Sequence, residues 1–270
     1  MNAGQRPLSR RTFIGASLCA VAGVLVGCGS DGGASAKPQD VPCPYQWDNL
    51  LWEEGRPVYY VDGQVCSRWG VDVSEHQRDV DWGAVAEAGA QFAFVRIGNR
   101  GATEGLLGVD EYFLQNIVGA TEAGIPLSAY FFSQSIDEAE AREEAEFAIK
   151  QLRAAEDMGA SFQYVAYDHE PVEIEGARAN DLSSAQFAAN AQAFCDVLAE
   201  AGYAPMLYGN QRDLDRLTVQ ERSSYPLWLA EYGVDEPSAP FNFAIWQYTN
   251  VGTVPGIATD ADLNIWFDAA

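Results

Sequence analysis

Positive charge is what this chain has least of. Among its 270 residues, 16 are Lys or Arg against 39 Asp or Glu, a formal net charge of -23. Such a field repels nucleic acid and anionic polymers at long range, so a nucleic-acid function is excluded. Histidine is scarce too, with two residues, and neither C-x-x-C nor H-E-x-x-H spacing occurs. From that donor set no metal site and no cofactor are expected. The apolar run from Phe13 to Val26 is about 14 residues, short of the roughly 20 that a bilayer-spanning helix needs. No internal repeat is visible.

What is present is enough apolar material for one sizeable core, 48% hydrophobic and 12% aromatic. A single α/β barrel fits the length as well as two smaller domains do. The first 27 residues hold three arginines and no acids, so the remainder carries 13 basic and 39 acidic residues, a net of -26. Ser9-Arg10-Arg11-Thr12-Phe13-Ile14 resembles a twin-arginine export signal. The apolar run ends Leu25-Val26-Gly27-Cys28, which is similar to a bacterial lipoprotein box with Cys28 as the lipidated residue. Residues 1–27 are thus read as signal and 28–40 as a flexible tether. The expected location is the outer face of the bacterial cell membrane, anchored through lipid, with the protein monomeric.

The five cysteines divide under this reading. Cys19 leaves with the signal, Cys28 takes the lipid, and Cys195 falls on the apolar side of a helix as core. Cys43 and Cys66 are expected to pair outside the cytoplasm, a loop closure worth about 3 kcal/mol in chain-entropy terms. They would staple a small extension, residues 41–69, packed on the domain that follows.

From about residue 70 onward, strand and helix alternate. Candidate strands are Val71–Ser74, Phe92–Ile97, Leu127–Phe132, a strand through Tyr164–Asp168, Met206–Tyr208, Leu227–Tyr232, Ala244–Tyr248 and Leu263–Phe267. Asp81 is placed to cap a helix that Gly89 ends, and a further helix runs from about Asp110 to Gly124. Ser135 with Glu138, and Ser183 with Gln186, form capping-box patterns that open two longer helices. Helices thin out between residues 210 and 262. About eight strands in 200 residues predict a closed, irregular TIM-like (β/α) barrel over 70–270.

The sequence centres on Tyr164-Val165-Ala166-Tyr167-Asp168-His169-Glu170-Pro171. On an extended strand residues i and i+2 share a face, so Asp168 and Glu170 stand side by side. Two carboxylates that close cannot both ionise freely, and one keeps its proton to higher pH. An acid poised beside a base is what glycosidic bond cleavage needs. Barrel sites form at the C-terminal ends of the strands. Those ends supply Asp72, Arg96, Tyr130, Phe132, Tyr208, Trp228, Tyr232, Trp246 and Gln247, a rim of acids and aromatics suited to a sugar. Asp262 and Asn264 fall at the beginning of the last strand, not its end. His169 points away from the acids and is read as structural, and His76 as a solvated loop residue.

Gly70-Val71-Asp72-Val73-Ser74, Gln77 and Val80-Asp81-Trp82, then Asp168-His169-Glu170, then Trp228-Leu229-Ala230-Glu231-Tyr232, Trp246-Gln247-Tyr248, Gly256-Ile257 and Asp262-Leu263-Asn264 together resemble glycoside hydrolase family 25, the N-acetylmuramidase lysozymes. The motifs stand in the family's order from about Gly70 to Phe267. The resemblance implies Glu170 as proton donor, Asp168 as its orienting or stabilising acid, and Asp72 and Asp262 as further acids at the barrel mouth. It implies hydrolysis of the β-1,4 bond between N-acetylmuramic acid and N-acetylglucosamine, with peptidoglycan glycan strands as the partner. Arg78 and His169 depart from the family's usual residues at their positions. Two other functions are weighed beside it: a non-catalytic cell-wall glycan-binding lipoprotein on the same fold, and a hydrolase of another amino-sugar polymer.

Overall fold

The computed structural model of the protein describes residues 41–268. The expected signal, the Cys28 lipidation site and the 28–40 tether lie outside the described residues, as does Cys19. The chain begins with a small antiparallel sheet of β1 (Leu50–Glu53), β2 (Arg56–Val61) and β3 (Gln64–Val65). Both of its turns put two central residues at positive φ, Glu54-Gly55 at 50° and 81° and Asp62-Gly63 at 50° and 75°. That is the turn geometry whose twist matches right-handed strands, and Asp-Gly is its strongest sequence signal.

The barrel follows, and its first strand starts ahead of Gly70. In chain order come β4 (Ser67–Val73), α1 (Trp82–Glu87), β5 (Phe92–Arg100), β6 (Leu107–Val109), α2 (Phe113–Glu122), β7 (Leu127–Phe132), α3 (Glu138–Glu156) and β8 (Phe162–Asp168). Then come α4 (Ser184–Glu200), β9 (Pro205–Asn210), α5 (Gln211–Leu214), α6 (Val219–Arg222), β10 (Leu227–Ala230), β11 (Ile245–Gly252) and β12 (Ala261–Phe267). The strand order β4-β12-β11-β10-β9-β8-β7-β5 closes through β4–β5 pairing, and β6 pairs with the end of β5 that runs past β4. This is an eight-stranded closed barrel with few helices, the irregular TIM-like barrel expected. One strand differs from a fully parallel plan. β12 pairs antiparallel with both β11 and β4, while the other barrel pairings are parallel.

Closure splits every strand into an inner and an outer face at the period of two. Inside, Phe92, Phe94, Ala166, Met206, Trp228, Ile245 and Trp266 fill the lower barrel. Phe94 lies 4.2 Å from Trp228 and Phe92 5.2 Å from Trp266, centroid to centroid. Gly70 shows how tight this is: a Cβ there would sit 2.5 Å from the Phe92 carbonyl oxygen and 2.7 Å from its ring. Outside, the apolar faces of α2, α3 and α4 cover the strands with Ile117, Ala148, Leu152, Phe194 and Leu198, all buried.

Local capping differs in one place from the sequence pattern. Asp81 and Ser183 cap as expected, accepting from the amides of Ala84 and Gln186. The cap of α3 is Asp137, which accepts from the Glu140 amide, whereas Ser135 is buried and hydrogen-bonds Ser133. Ser135 is taken inward by a buried polar network with Ser133, Tyr167 and Asn190, which outweighs a surface cap. The expected Cys43–Cys66 disulfide is not formed, and both thiols are free and half-buried. Their backbones are tied to different places. The Cys43 amide donates to the Pro240 carbonyl and the Cys66 amide to that of Tyr59. Cys195 is free and buried in α4.

Candidate active site

The inner-face pattern that fills the barrel with rings ends, at the top of each strand, in a polar residue. Following alternate residues upward gives Ala166 then Asp168 on β8, Met206 then Tyr208 on β9, Ile245 then Gln247 on β11 and Gly70 then Asp72 on β4. Because β12 runs the other way, its beginning lies at this same end, and Asp262 stands directly opposite Asp72 in register. These groups line a cleft of about 240 Å³ with Arg96, Tyr130, Phe132, Glu170, Trp228 and Tyr232. All four acids singled out in the sequence therefore meet in one cavity.

Of the expected lining residues, Trp246 is the exception. It neighbours Gln247 on an extended strand, so it must face outward; it is fully buried there and donates from Nε1 to the Glu231 carbonyl. Arg96 reaches the cleft already engaged, with Nε 2.8 Å from Asp110 and Nη2 2.8 Å from Glu75. Three lining residues were missed as site residues: Ser74, Asn250 and His76, the last read as solvated. Ser74 and His76 sit just beyond the end of β4, and Asn250 lies in β11 past a bulge, so period-two reasoning reaches none of them. His169 is buried outside the cleft, with Nδ1 3.1 Å from the Ser133 carbonyl and its ring 5.5 Å from that of Phe187.

A chain of hydrogen bonds fixes the floor. Tyr208 and Tyr232 hydroxyls donate to Gln247 Oε1 at 2.8 and 2.5 Å, and Gln247 Nε2 donates to Asp72 Oδ2 at 2.7 Å. Asn264 Nδ2 donates to the same oxygen at 2.8 Å, while Trp228 Nε1 donates to Asn264 Oδ1 at 2.8 Å. Each amide is thus oriented at both ends. The Asp168–Glu170 segment is clamped from β7: Ser133 N donates to the Asp168 carbonyl at 2.7 Å and Gln134 Nε2 to that of Glu170 at 2.8 Å. Behind it, Glu144 accepts from Ser133 Oγ at 2.6 Å and from Arg100 Nε at 2.9 Å.

Burial raises the proton affinity of all four acids. Asp168 is held well above the ordinary carboxylate range by desolvation first, then by the charges of Glu170 and Asp72, with Arg96 opposing. Glu170 is raised by desolvation and by Asp213, and hydrogen bonds from Asp168 and Tyr208 pull it partway back. The two carboxyls hydrogen-bond each other and so hold a shared proton as one unit. Desolvation lifts Asp72 to about 6 against the donors Asn264 and Gln247, and lifts Asp262 to about 9 with help from the charges of Asp72 and Glu170. Half-buried Glu170 is open to the cleft, whereas Asp168 is buried, its Oδ1 lacking a hydrogen-bond partner. Such a site can donate a proton and surround a developing positive charge with carboxylates. Among the described residues no cluster could hold a metal ion.

Known proteins resemble this chain in sequence and in fold. Residues 71–257 match the family described as Glycosyl hydrolases family 25. The chain is 28% identical over 198 residues to the autolytic lysozyme of Clostridium acetobutylicum, covering 72% of this chain and 54% of that protein. It is 28% identical over 202 residues to lysozyme M1 of Streptomyces globisporus, covering 72% and 66%. The chain thus spans between about half and two thirds of the length of these relatives. Among solved structures, a bacterial lysozyme from Streptomyces coelicolor superposes with TM-score 0.59 at 25% identity, over 75% of this chain and 93% of that one. The modular autolysin LytC from Streptococcus pneumoniae, solved with a synthetic peptidoglycan ligand, shares the fold with TM-score 0.67 at 21% identity, over 81% and 52%.

Proposed function

The chain belongs to glycosyl hydrolase family 25, and we propose that it is a lysozyme-type hydrolase cutting the β-1,4 bond between N-acetylmuramic acid and N-acetylglucosamine in peptidoglycan. The observation that carries this is the hydrogen-bonded Asp168–Glu170 pair in a cleft with Asp72 and Asp262. Glu170 is the general acid. It gives its proton to the leaving glycosidic oxygen and is left as a carboxylate. As the glycosidic bond breaks, positive charge grows at the anomeric carbon, where Asp72 and the other carboxylates supply negative potential. Glu170, now a carboxylate, takes the proton of the incoming water and closes the cycle. Carboxyls in direct contact leave no room for a water between them, which favours net retention. Asp168 serves as the stabilising or orienting acid.

Glu170→Gln keeps the shape and removes the proton. Turnover on purified cell walls should fall by about 10²- to 10⁴-fold at unchanged Tm. Near-normal clearance by the variant would remove Glu170 from the mechanism. Anomer analysis by NMR reads retention, and mass spectrometry of the new reducing end reads which bond is cut. The same assays decide against a non-catalytic glycan-binding role.

The arginine pair and Leu25-Val26-Gly27-Cys28 support export and lipid anchoring at Cys28, with residues 28–40 as the tether. A monomer tethered to the outer face reaches nearby wall, which favours remodelling of the cell's own envelope. Cys28→Ser should then release the protein from the membrane fraction. Retention there by the variant would overturn the anchor.

A further inference from the structure

The small N-terminal sheet lies outside the family match at 71–257, and the proposed chemistry uses none of it. It nonetheless brings one aromatic ring, that of Trp52, against the outer face of β11. A groove of about 480 Å³ is lined by Trp52, Gly55, Gly233, Asp235, Tyr248 and Thr249. It lies on the outer side of β11, across the rim from the catalytic cleft: Tyr232 and Asn250 line the cleft, and their chain neighbours Gly233 and Thr249 line the groove.

Trp52 is 42% exposed, yet it is held firmly. Its Nε1 donates to the Asp235 carbonyl at 2.8 Å. Its ring meets those of Trp246 and Tyr248 nearly at right angles, with centroids 6.2 and 5.6 Å away. The hairpin beneath it is pinned by Arg56, which stacks 3.7 Å over Trp69 and donates to the Ala88 carbonyl at 2.8 Å. A ring fixed in advance loses little freedom when something binds to it. Beside it stand the exposed carboxylate of Asp235 and the Thr249 hydroxyl. An apolar ring face edged by hydrogen-bonding groups matches a pyranose, whose C–H face is apolar and whose substituents are polar.

We propose that this groove is a distal glycan subsite, in which an N-acetylated sugar of the strand leaving the catalytic cleft stacks on Trp52. The inference rests on the lysozyme-type reading above and extends it. The extension is then part of the substrate-binding surface and selects long strands over short fragments.

The test compares KM on long peptide-free glycan strands with KM on a muramyl tetrasaccharide, for wild type and variants. In Trp52→Ala the long-strand KM should rise about five- to tenfold relative to the tetrasaccharide KM, the scale of one aromatic contact. Trp52→Tyr should restore most of the difference. Asp235→Arg, which blocks the groove but keeps the backbone carbonyl that holds the indole, should reproduce the defect, so the test survives a Trp52→Ala that fails to fold. An unchanged ratio in Asp235→Arg and in folded Trp52→Ala overturns the subsite, as does equal weakening on both substrates. If wild type cleaves neither substrate, the hydrolase reading fails separately. Calorimetric titration of long strands then judges the groove, and equal affinity of wild type and Asp235→Arg overturns it.

Discussion

Asn264 carries more of the site than its size suggests. It is fully buried, accepts a hydrogen bond from the Trp228 indole on one side and donates one to Asp72 on the other. Because that donor stabilises the charged form of Asp72, its loss should push the Asp72 carboxyl above about 6. In Asn264→Ala the acid limb of the rate profile should therefore move to higher pH, and the fold should lose about 1–3 kcal/mol from unpaired buried groups. Calorimetry and a pH series check both, and an acid limb left in place would free Asp72 from this role. Asp168 with Glu170 was legible in the sequence through period-two alternation, and Asp72, Tyr208 and Gln247 as residues at strand ends, whereas Asp262 entered only through the family resemblance. Trp246 was misplaced by neglecting the same rule, since it and Gln247 cannot share a face.

At the level of elements, β12 decides whether the acids meet. A parallel last strand would carry Asp262 to the far end of the barrel; running antiparallel, it sets Asp262 against Asp72. Direction is not written in residue pattern, because an alternating strand reads the same both ways. The short link between Gly252 and Ala261 is its only trace. β4 depends on a different constraint, the absence of a side chain at Gly70. A methyl there meets the Phe92 backbone carbonyl, which cannot swing aside, so Gly70→Ala should cost about 1–3 kcal/mol and loosen β4 against β5. Urea denaturation gives the figure, and an unchanged midpoint would mean that the strands part without cost. Helix α3 shows a local preference overridden: the Ser135 hydroxyl turns inward to those of Ser133 and Tyr167, and Asp137 caps in its place.

For the whole molecule the acids set a dependence on pH. Asp72, Glu144 and Asp262 titrate in the fold near about 6, about 7 and about 9. An unfolded carboxyl titrates near about 4, so between those values the folded protein binds more protons than the unfolded chain. Stability therefore falls as pH rises from about 4 to about 9, and Tm should be a few degrees higher at pH 5 than at pH 8. Asp262→Asn should flatten the upper part of that slope. Salt should recover part of the loss, by screening the self-repulsion of a chain with net charge -23, while the buried carboxyls respond little. A Tm that climbs steadily from pH 5 to pH 9 would contradict the placement of these groups.

The amino-acid sequence by itself determined the strands, their inner faces and the polar residues that end them, because alternation along an extended chain is a local property. The tertiary structure alone decided the direction of β12, the turn of Ser74, His76 and Asn250 into the cleft, and the rise in proton affinity of Asp72 and Asp262. Those depend on which distant segments close around a carboxyl and shut out water, and no short stretch of chain contains that information.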